Sequence, residues 1–585
     1  MRTHVLFAWR CIMYIASVPN RNSRPTILLR EGKRQGKKII KNTLLNLTHW
    51  PEDMVESLRR IIAGETLVSI HDIFSVTRSL PHGHVETILL ALQKLKLGRL
   101  ISSQPSRQKN IILALIVQRI IQPGSKLATT RLWHDSTLAK ELNVEDVDED
   151  DVYEAMDWLL KRKKRIENKL ARRHLKDNAP VLYDVTSSYY EGHTCSLAFF
   201  GHSRDKKKGL PQIVYGLMTD AYGCPVSVDV YPGNTGDPST VPRQVDKLRN
   251  RFQLERVILV GDRGLLTQTQ IDNLIEFPQL GWISALKSKC IRKLIVSGDL
   301  QLSIFDRINI AEIISDDFPG ERLIVCFNPL LAERRKTKRE KLIQATSGAL
   351  DKISAQVKRR TKKPLKKEEI ALKAGKVIGR YKVAKHFHLS IDDNYFSWTK
   401  NEDSIKQEMA QDGIYIIRTS EKKEAIPTPD VVRHYKRLQE VERAFRCLKG
   451  ADLEIRPIYH RIEERVICHI FLCFLAYYVE WHMRQVFAPL LYEEENREET
   501  RKKRDPVLPA KPTEEVKRKK KTHKTLEGFP LHSFRSLLSH LATCCQNWCK
   551  NIKIKSAPPI VLYTEKTPLQ RKALELINHI VPSSP

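Results

Sequence analysis

Apolar residues along residues 13–48 come in short extended runs broken by basic, Gly-containing turns such as "REGKRQGKK", which predicts a small strand-rich element. From Pro51 to about Leu175 the spacing becomes helical: "VESLRRII", "VETILLALQKL" and "NIILALIVQRII" each gather apolar side chains on one face. The last of these stops at "QPG", and the acidic stretch "NVEDVDEDD" divides the region. The pattern then shortens again. "APVLYDVTSSYY" predicts a strand, "PQIVYGLMTD" and "CPVSVDVYPG" a hairpin around Ala221–Gly223, and "TVPRQVDKLRNRF" an amphipathic helix. "RVILVGD" follows as a buried strand, "TQTQIDNLIEF" as a helix and "GWISAL" as a further strand. Strands and helices in this order suit a mixed sheet flanked by helices, an α/β core in an α+β multidomain chain.

Residues 289–420 interrupt the pattern with short strands, a very basic helical stretch and the strand-like "DGIYIIRTS". Between Leu331 and Glu368 there are fourteen Lys or Arg against Glu333, Glu340, Asp351 and Glu368, a run that serves either as a solvated helical face or as a nucleic-acid contact. Beyond "IPTPDVV" come two strongly helical segments, "RHYKRLQEVERAFRCLKG" and the apolar Val466–Val479. "YEEENREETRKKRD" to "EEVKRKKKTHK" has the composition of a mobile linker or an insertion. The expected organisation is a strand-plus-helical N-terminal region (1–178), a sheet-based core (179–288 and 421–486) interrupted by an insertion (289–420), and a basic linker with a C-terminal region (487–585).

A chain of 585 residues exceeds one compact core, and 100 Lys and Arg against 68 Asp and Glu leave a net charge of +32. That excess calls for a polyanionic partner, nucleic acid before membrane. No membrane span is expected, because the longest apolar run is interrupted by His469 and shorter than the ~20 residues a span needs. The opening "MRTHVLFAWRCIMYIASV" has the apolar run of an export signal, but Arg10 splits it and no cleavage site follows cleanly, which makes Met13 an alternative start. Dispersed cysteines without paired C-x2-C spacing fit reduced thiols in a cytoplasm.

Asp184 sits inside the apolar and β-branched run Val181–Thr186, where a charge is costly, and Asp262 ends "VILVGD" in the same way. Either could cap a helix or form a turn, but α/β sheets present ligand groups at strand ends. Tyr435, Leu438, Glu442, Phe445 and Lys449 recur at intervals of three and four, which places Glu442 on the face that Leu438 and Phe445 turn toward the core. Three converging carboxylates, with no nucleophile elbow and no Gly-rich phosphate loop, match two-metal-ion phosphoryl transfer, for which Mg²⁺ or Mn²⁺ is the suited ion.

"YDVT", "VGDRG" and "YKRLQEVERAFRCLK" resemble the three signature regions of DDE transposases of bacterial insertion sequences, in the group related to insertion sequence family four. "FGHSRDKKKGLPQIVYGL", "GNTGD" and "IRPIYHRIEERVICHIFLCFLA" extend the resemblance over nearly the whole chain. The resemblance implies a ribonuclease-H-like core with an inserted domain, with Asp184, Asp262 and Glu442 as the catalytic residues and as the ligands of two Mg²⁺ or Mn²⁺ ions. Leu438 takes the place of the Arg in the third signature, as in a subgroup reading "Y..L...E..FR.LK", which leaves Arg437 or Arg443 to supply a phosphate contact.

Residues expected to touch DNA are Arg204, Lys206, Lys207 and Lys208 of the basic loop, Arg263 beside the second Asp, and Tyr435, Arg437, Arg443 and Lys449 around the Glu. The implied function is that of an insertion-sequence transposase, which binds terminal inverted repeats, exposes 3′-hydroxyls and joins them to target DNA. It would act as a homodimer in a bacterial cytoplasm, associated with the nucleoid. Two alternatives share these residues: a ribonuclease-H-like nuclease without strand transfer, and a catalytically silent transposase-derived DNA-binding protein.

Overall fold

The computed structural model describes residues 12–21, 23–35, 38–65, 74–277, 279–306, 308–552 and 558–583. Residues 1–11, which hold most of the signal-like opening, lie outside the described residues. Chain contacts divide the protein into two compact units, Met1–Ser79 with Gln546–Thr564, and Leu80–Cys545 with Glu565–Pro585.

In the smaller unit the expected strand-rich element is an antiparallel meander of Ile12–Val18 (β1), Thr26–Gln35 (β2) and Lys38–Asn46 (β3). A second small sheet places Cys545–Asn551 between Ile560–Tyr563 and Phe74–Pro81 (β4). The helical reading of Pro51–Leu175 passed over β4, whose short "FSVTRSLP" has too few residues to declare a period against its helical neighbours.

The larger unit is built on an eight-stranded sheet. Its strands are Pro180–Tyr189 (β5), Gln212–Thr219 (β6), Pro225–Pro232 (β7), Val257–Val260 (β8), Leu280–Ala285 (β9), Ile310–Ile313 (β10) and Arg322–Phe327 (β11), with Ile414–Thr419 completing it. A separate hairpin pairs Phe387–Asp392 (β12) with Tyr395–Lys400 (β13), so Ile414–Thr419 is β14. The sheet order is β10-β11-β14-β9-β8-β5-β6-β7. β5, β6 and β7 run antiparallel, and β8 and β9 lie parallel to β5, the strand arrangement of a ribonuclease-H-like core.

The insertion begins as part of this sheet. β14 pairs with β9, and β11 and β10 follow, so the first two strands of the insertion and its last extend the core sheet, and the chain leaves it between β11 and β14. The remainder has its own apolar cluster, in which Pro329–Arg359 and Lys367–Tyr381 pack with the β12–β13 hairpin around Leu350, Ile370 and Phe387. The basic run is therefore helical over most of its length. Arg339 is buried within it and holds Asp412 through two hydrogen bonds of 3.0 and 2.5 Å.

Behind the sheet runs Glu463–Val486, packed on β7 and on the helices Arg107–Ile121 and Glu149–Leu160. By length and composition this helix could cross a membrane, yet 94 % of its apolar window is buried inside the protein, as expected of a core helix. The segment from Tyr492 to Lys524 departs from the linker expectation. Its acids are claimed by arginines of the preceding helices: Glu493 accepts from Arg443 at 2.6 Å and Glu498 from Arg437 at 2.6 Å. Lys519 is fully buried, donating to the Ala488 and Glu493 carbonyls. Charge density read alone resembles disorder; here opposite charges on neighbouring elements neutralise it.

Candidate active site

The register of the sheet brings the first two acids together. β5 pairs with β8 only as far as Leu182 opposite Val260, after which β8 ends and β5 continues beside β6. Asp184 and Asp262 each lie two residues beyond that last pair, so they emerge side by side where the parallel strands part. Asp184 is thus not at the end of its own strand but at the end of its pairing with β8. It is half-buried, and its Oδ1 accepts the Val185 N–H at 2.7 Å. Burial, with Asp262 adding to it, pushes its carboxyl up to about 7 against the pull of that N–H and of Arg204.

Asp262 also carries out the turn-forming role that its sequence allowed. One carboxylate oxygen, Oδ1, accepts the N–H groups of Gly264 at 3.0 Å and Leu265 at 2.7 Å, and the Asp262 carbonyl accepts from Ser284 Oγ at 3.2 Å. The turn fixes the side chain and leaves Oδ2 for another partner.

Glu442 comes from above the sheet. The helical segment that carries it is divided at Arg437 into Thr428–Lys436 and Leu438–Lys449, so Tyr435 and Glu442 belong to successive helices. Leu438, Val441, Ala444, Phe445, Cys447 and Leu448 form the buried side of the second helix. Phe445 meets Tyr215 of β6 edge-on at 6.0 Å. Glu442 is exposed rather than turned into the core, because a cleft opens between this helix and the strand ends.

That cleft measures about 590 Å³ and is lined by Asp184, Asp262 and Glu442 together with Thr186, Arg204 and Lys449. Lys449 closes one side: its ammonium donates to Thr186 Oγ1 at 2.7 Å, to the Ser187 carbonyl at 2.5 Å and to Asp205 at 3.0 Å. Each of the three Thr and Ser hydroxyls of "YDVTSSYY" has its own partner. Thr186 holds Lys449, Ser187 donates to the His202 carbonyl at 3.0 Å, and Ser188 meets the Tyr215 hydroxyl at 2.9 Å.

Sequence reasoning missed Asp205, Asp237 and Arg456. Asp205 is almost fully buried, paired with Lys449 and Arg456, and accepts the Tyr189 N–H at 3.2 Å. It anchors the basic loop to β5, and a lone acid inside "HSRDKKKG" was the available signal. Asp237 of "GNTGD" pairs with Arg204. The neighbouring Gly233 is required by close approach, since a Cβ there would stand 1.9 Å from the Gln212 carbonyl oxygen.

Of the residues expected at DNA, Arg204, Lys206 and Lys449 line the cleft. Lys207 lies 5.5 Å from the centre of the Tyr189 ring, Lys208 is exposed, and Arg263 is exposed next to Asp262. Tyr435 is half-buried, and burial followed by Asp262 pushes its hydroxyl up to about 12. Arg437 and Arg443 are not brought to the cleft. They pair with Glu498 and Glu493, and Arg437 also donates to the Ala221 carbonyl at 2.6 Å.

The donor set fits a hard divalent cation: carboxylate oxygens only, on an open cleft, with a half-buried Asp184 beside Asp262 whose ionised form needs a counter-charge. A tighter cluster exists elsewhere, where the ligand atoms of His174, Cys224 and His482 all lie within 4.8 Å of one another.

No curated protein matches the chain significantly. Among solved structures, the piggyBac transposase synaptic complex with hairpin DNA, determined by cryo-EM, is similar over 76 % of this chain and 88 % of that chain, at 11 % identity and a TM-score of 0.31. Residues 179–479 match the family described as transposase DDE domain. They span β5 to the middle of the long core helix and make up just over half of the sequence, and on that match the chain belongs to the transposase DDE domain family.

Proposed function

We propose that this protein is the transposase of a bacterial insertion sequence, in the group related to insertion sequence family four, which cleaves DNA at the ends of its element and joins the 3′-hydroxyls to a target. The observation that supports this best is the parting of β5 and β8, which sets Asp184 beside Asp262, with Glu442 lining the same cleft among basic residues. Asp184, Asp262 and Glu442 would hold two Mg²⁺ or Mn²⁺ ions, which when bound would supply Lewis acidity at the scissile phosphate and lower the pKa of the attacking water or 3′-hydroxyl.

The chain's own residues bind and orient. Arg204 and Lys206 present positive charge to the phosphodiester backbone at the rim of the cleft, and Lys207, Lys208 and Arg263 extend that charge along the surface. Lys449 fixes β5 beyond Asp184 by holding Thr186 and the Ser187 carbonyl, so its role is positioning. The N-terminal region recognises the terminal inverted repeats, and two copies of the chain hold two ends together in the bacterial nucleoid. Strand joining separates this reading from a simple nuclease. A precut duplex end with a free 3′-hydroxyl, incubated with the protein and Mg²⁺, should be found covalently joined to a second duplex. Cleavage without any joined product would favour the nuclease reading.

A further inference from the structure

Near the cleft, and sharing Arg456 with it, lies a cavity of about 610 Å³ whose lining includes Arg119, Lys126, Arg461 and Arg465. Lys126 is 5 % exposed and Arg119 is 7 % exposed. Among the described residues neither cation has a carboxylate oxygen within 4.0 Å. Arg119 donates to the Gly124 carbonyl at 2.8 Å. Lys126 Nζ lies 3.3 Å from His469 Nδ1, and His469 Nε2 lies 3.0 Å from the Ile455 carbonyl. That carbonyl can only accept, so Nε2 carries the imidazole proton and Nδ1 accepts from the lysine. Lys126 therefore spends one of its three N–H groups on a neutral ring.

The rest of the lining adds positive charge. Arg465 lies over the Tyr153 ring at 4.2 Å, with its nearest carboxylate, Asp157, at 3.8 Å, and its Nε is buried without a hydrogen-bond partner. The lining acids are Glu149, which accepts the Tyr153 hydroxyl at 2.7 Å, and Glu454. Burying a cation without an anion is costly, and burial followed by the charge of Arg119 pulls Lys126 down to about 7. An arriving anion would remove that cost. The volume is that of a pocket for a nucleotide-sized group.

Building on the function proposed above, we propose that this cavity binds a nucleotide phosphate of the DNA strand lying in the acidic cleft, with Lys126 and Arg119 as its buried cations and Arg456 as the bridge between the two sites. Arg456 lines both the cleft and the cavity, so a single strand crossing it would meet both sites.

The test uses the full chain, with Lys126→Met, Lys126→Arg and Arg119→Gln. Inorganic phosphate should raise the melting temperature of the wild type and of Lys126→Arg, and not that of Lys126→Met. Binding of a short duplex should weaken about tenfold in Lys126→Met, with the slope of log affinity against log salt reduced by about one. Arg119→Gln should weaken the same duplex binding. No phosphate response in the wild type would overturn the proposal. A phosphate response with duplex binding unchanged in Lys126→Met would assign the pocket to a free phosphate compound and overturn the DNA assignment. Neither result bears on Mg²⁺-dependent cleavage, whose loss in the wild type would instead count against the function itself.

Discussion

Asp184→Asn, Asp262→Asn and Glu442→Gln should each slow Mg²⁺-dependent DNA cleavage by roughly 10²- to 10³-fold or more, while leaving DNA binding and the melting temperature close to wild type. Each replacement removes a negative charge at nearly constant shape. Asn at position 262 keeps the Oδ1 that accepts from Gly264 and Leu265, so the turn after β8 survives. At position 184 burial raises the native carboxyl, and the Asn oxygen can still accept the Val185 N–H, so a neutral amide costs the fold little. Glu442 is exposed and has no structural partner to lose among the described residues. Cleavage by any of the three at the wild-type rate would remove that residue from the site.

The second large effect concerns the fold. Asp229 on β7 and Glu167 on the helix Lys163–His174 are both buried and share a cluster of cations. Lys247 pairs with Asp229, Arg243 reaches Asp229 at 3.2 Å, and Glu167 is held by Lys163 at 2.6 Å and Arg251 at 2.7 Å. Glu167 also accepts the Val228 N–H at 3.2 Å, so the network ties the helical region to the outer edge of the sheet. Lys247→Met removes the most buried cation and leaves Asp229 with the largely exposed Arg243 and with Gln244. The expected loss is about 3–5 kcal/mol, read as a lower urea midpoint for unfolding of the larger unit. Glu514→Ala, which breaks an exposed pair with Lys517 in the same unit, should cost no more than about 0.5 kcal/mol. Equal midpoints for the two variants would show that the network does not hold the helical region to the sheet.

The same cluster sets a pH dependence. Burial alone would raise the Asp229 carboxyl, but Lys247, Lys163 and Arg243 together hold it below its ordinary range. A carboxyl depressed in the folded state stabilises the fold above its unfolded value, about 3.9, and that contribution is lost as the pH falls below it.

Much of the core was legible because its strands are short, apolar and separated by turn residues. The runs at β5, β6, β7, β8 and β9 predict five strands, and Asp184 within β5 and Asp262 just beyond β8 stand out against apolar neighbours. What the sequence could not convey was pairing. That Asp184 lies beside Asp262 depends on where β8 stops relative to β5, a register between segments far apart in the chain. Helical spacing placed Glu442 with Leu438 and Phe445 correctly around the helix, but it could not show that the space facing that turn is a cleft instead of packed core. Arg437 and Arg443 were drawn toward DNA by their charge, whereas their partners Glu498 and Glu493 sit in a segment whose composition reads as disorder. Asp205 and Lys126 show the converse: a buried ion hidden in a basic loop, and a buried cation with no signature in the sequence around it.

In the proposed function, Asp184, Asp262 and Glu442 act through divalent cations on a DNA phosphodiester. Replacing one non-bridging oxygen of the scissile phosphate with sulfur tests this most directly, because Mg²⁺ prefers oxygen ligands while Mn²⁺ tolerates the softer donor. For one of the two phosphorothioate stereoisomers, cleavage should be lost in Mg²⁺ and restored in Mn²⁺. Equal ratios of sulfur-substituted to normal cleavage rates in the two metals, for both stereoisomers, would contradict it.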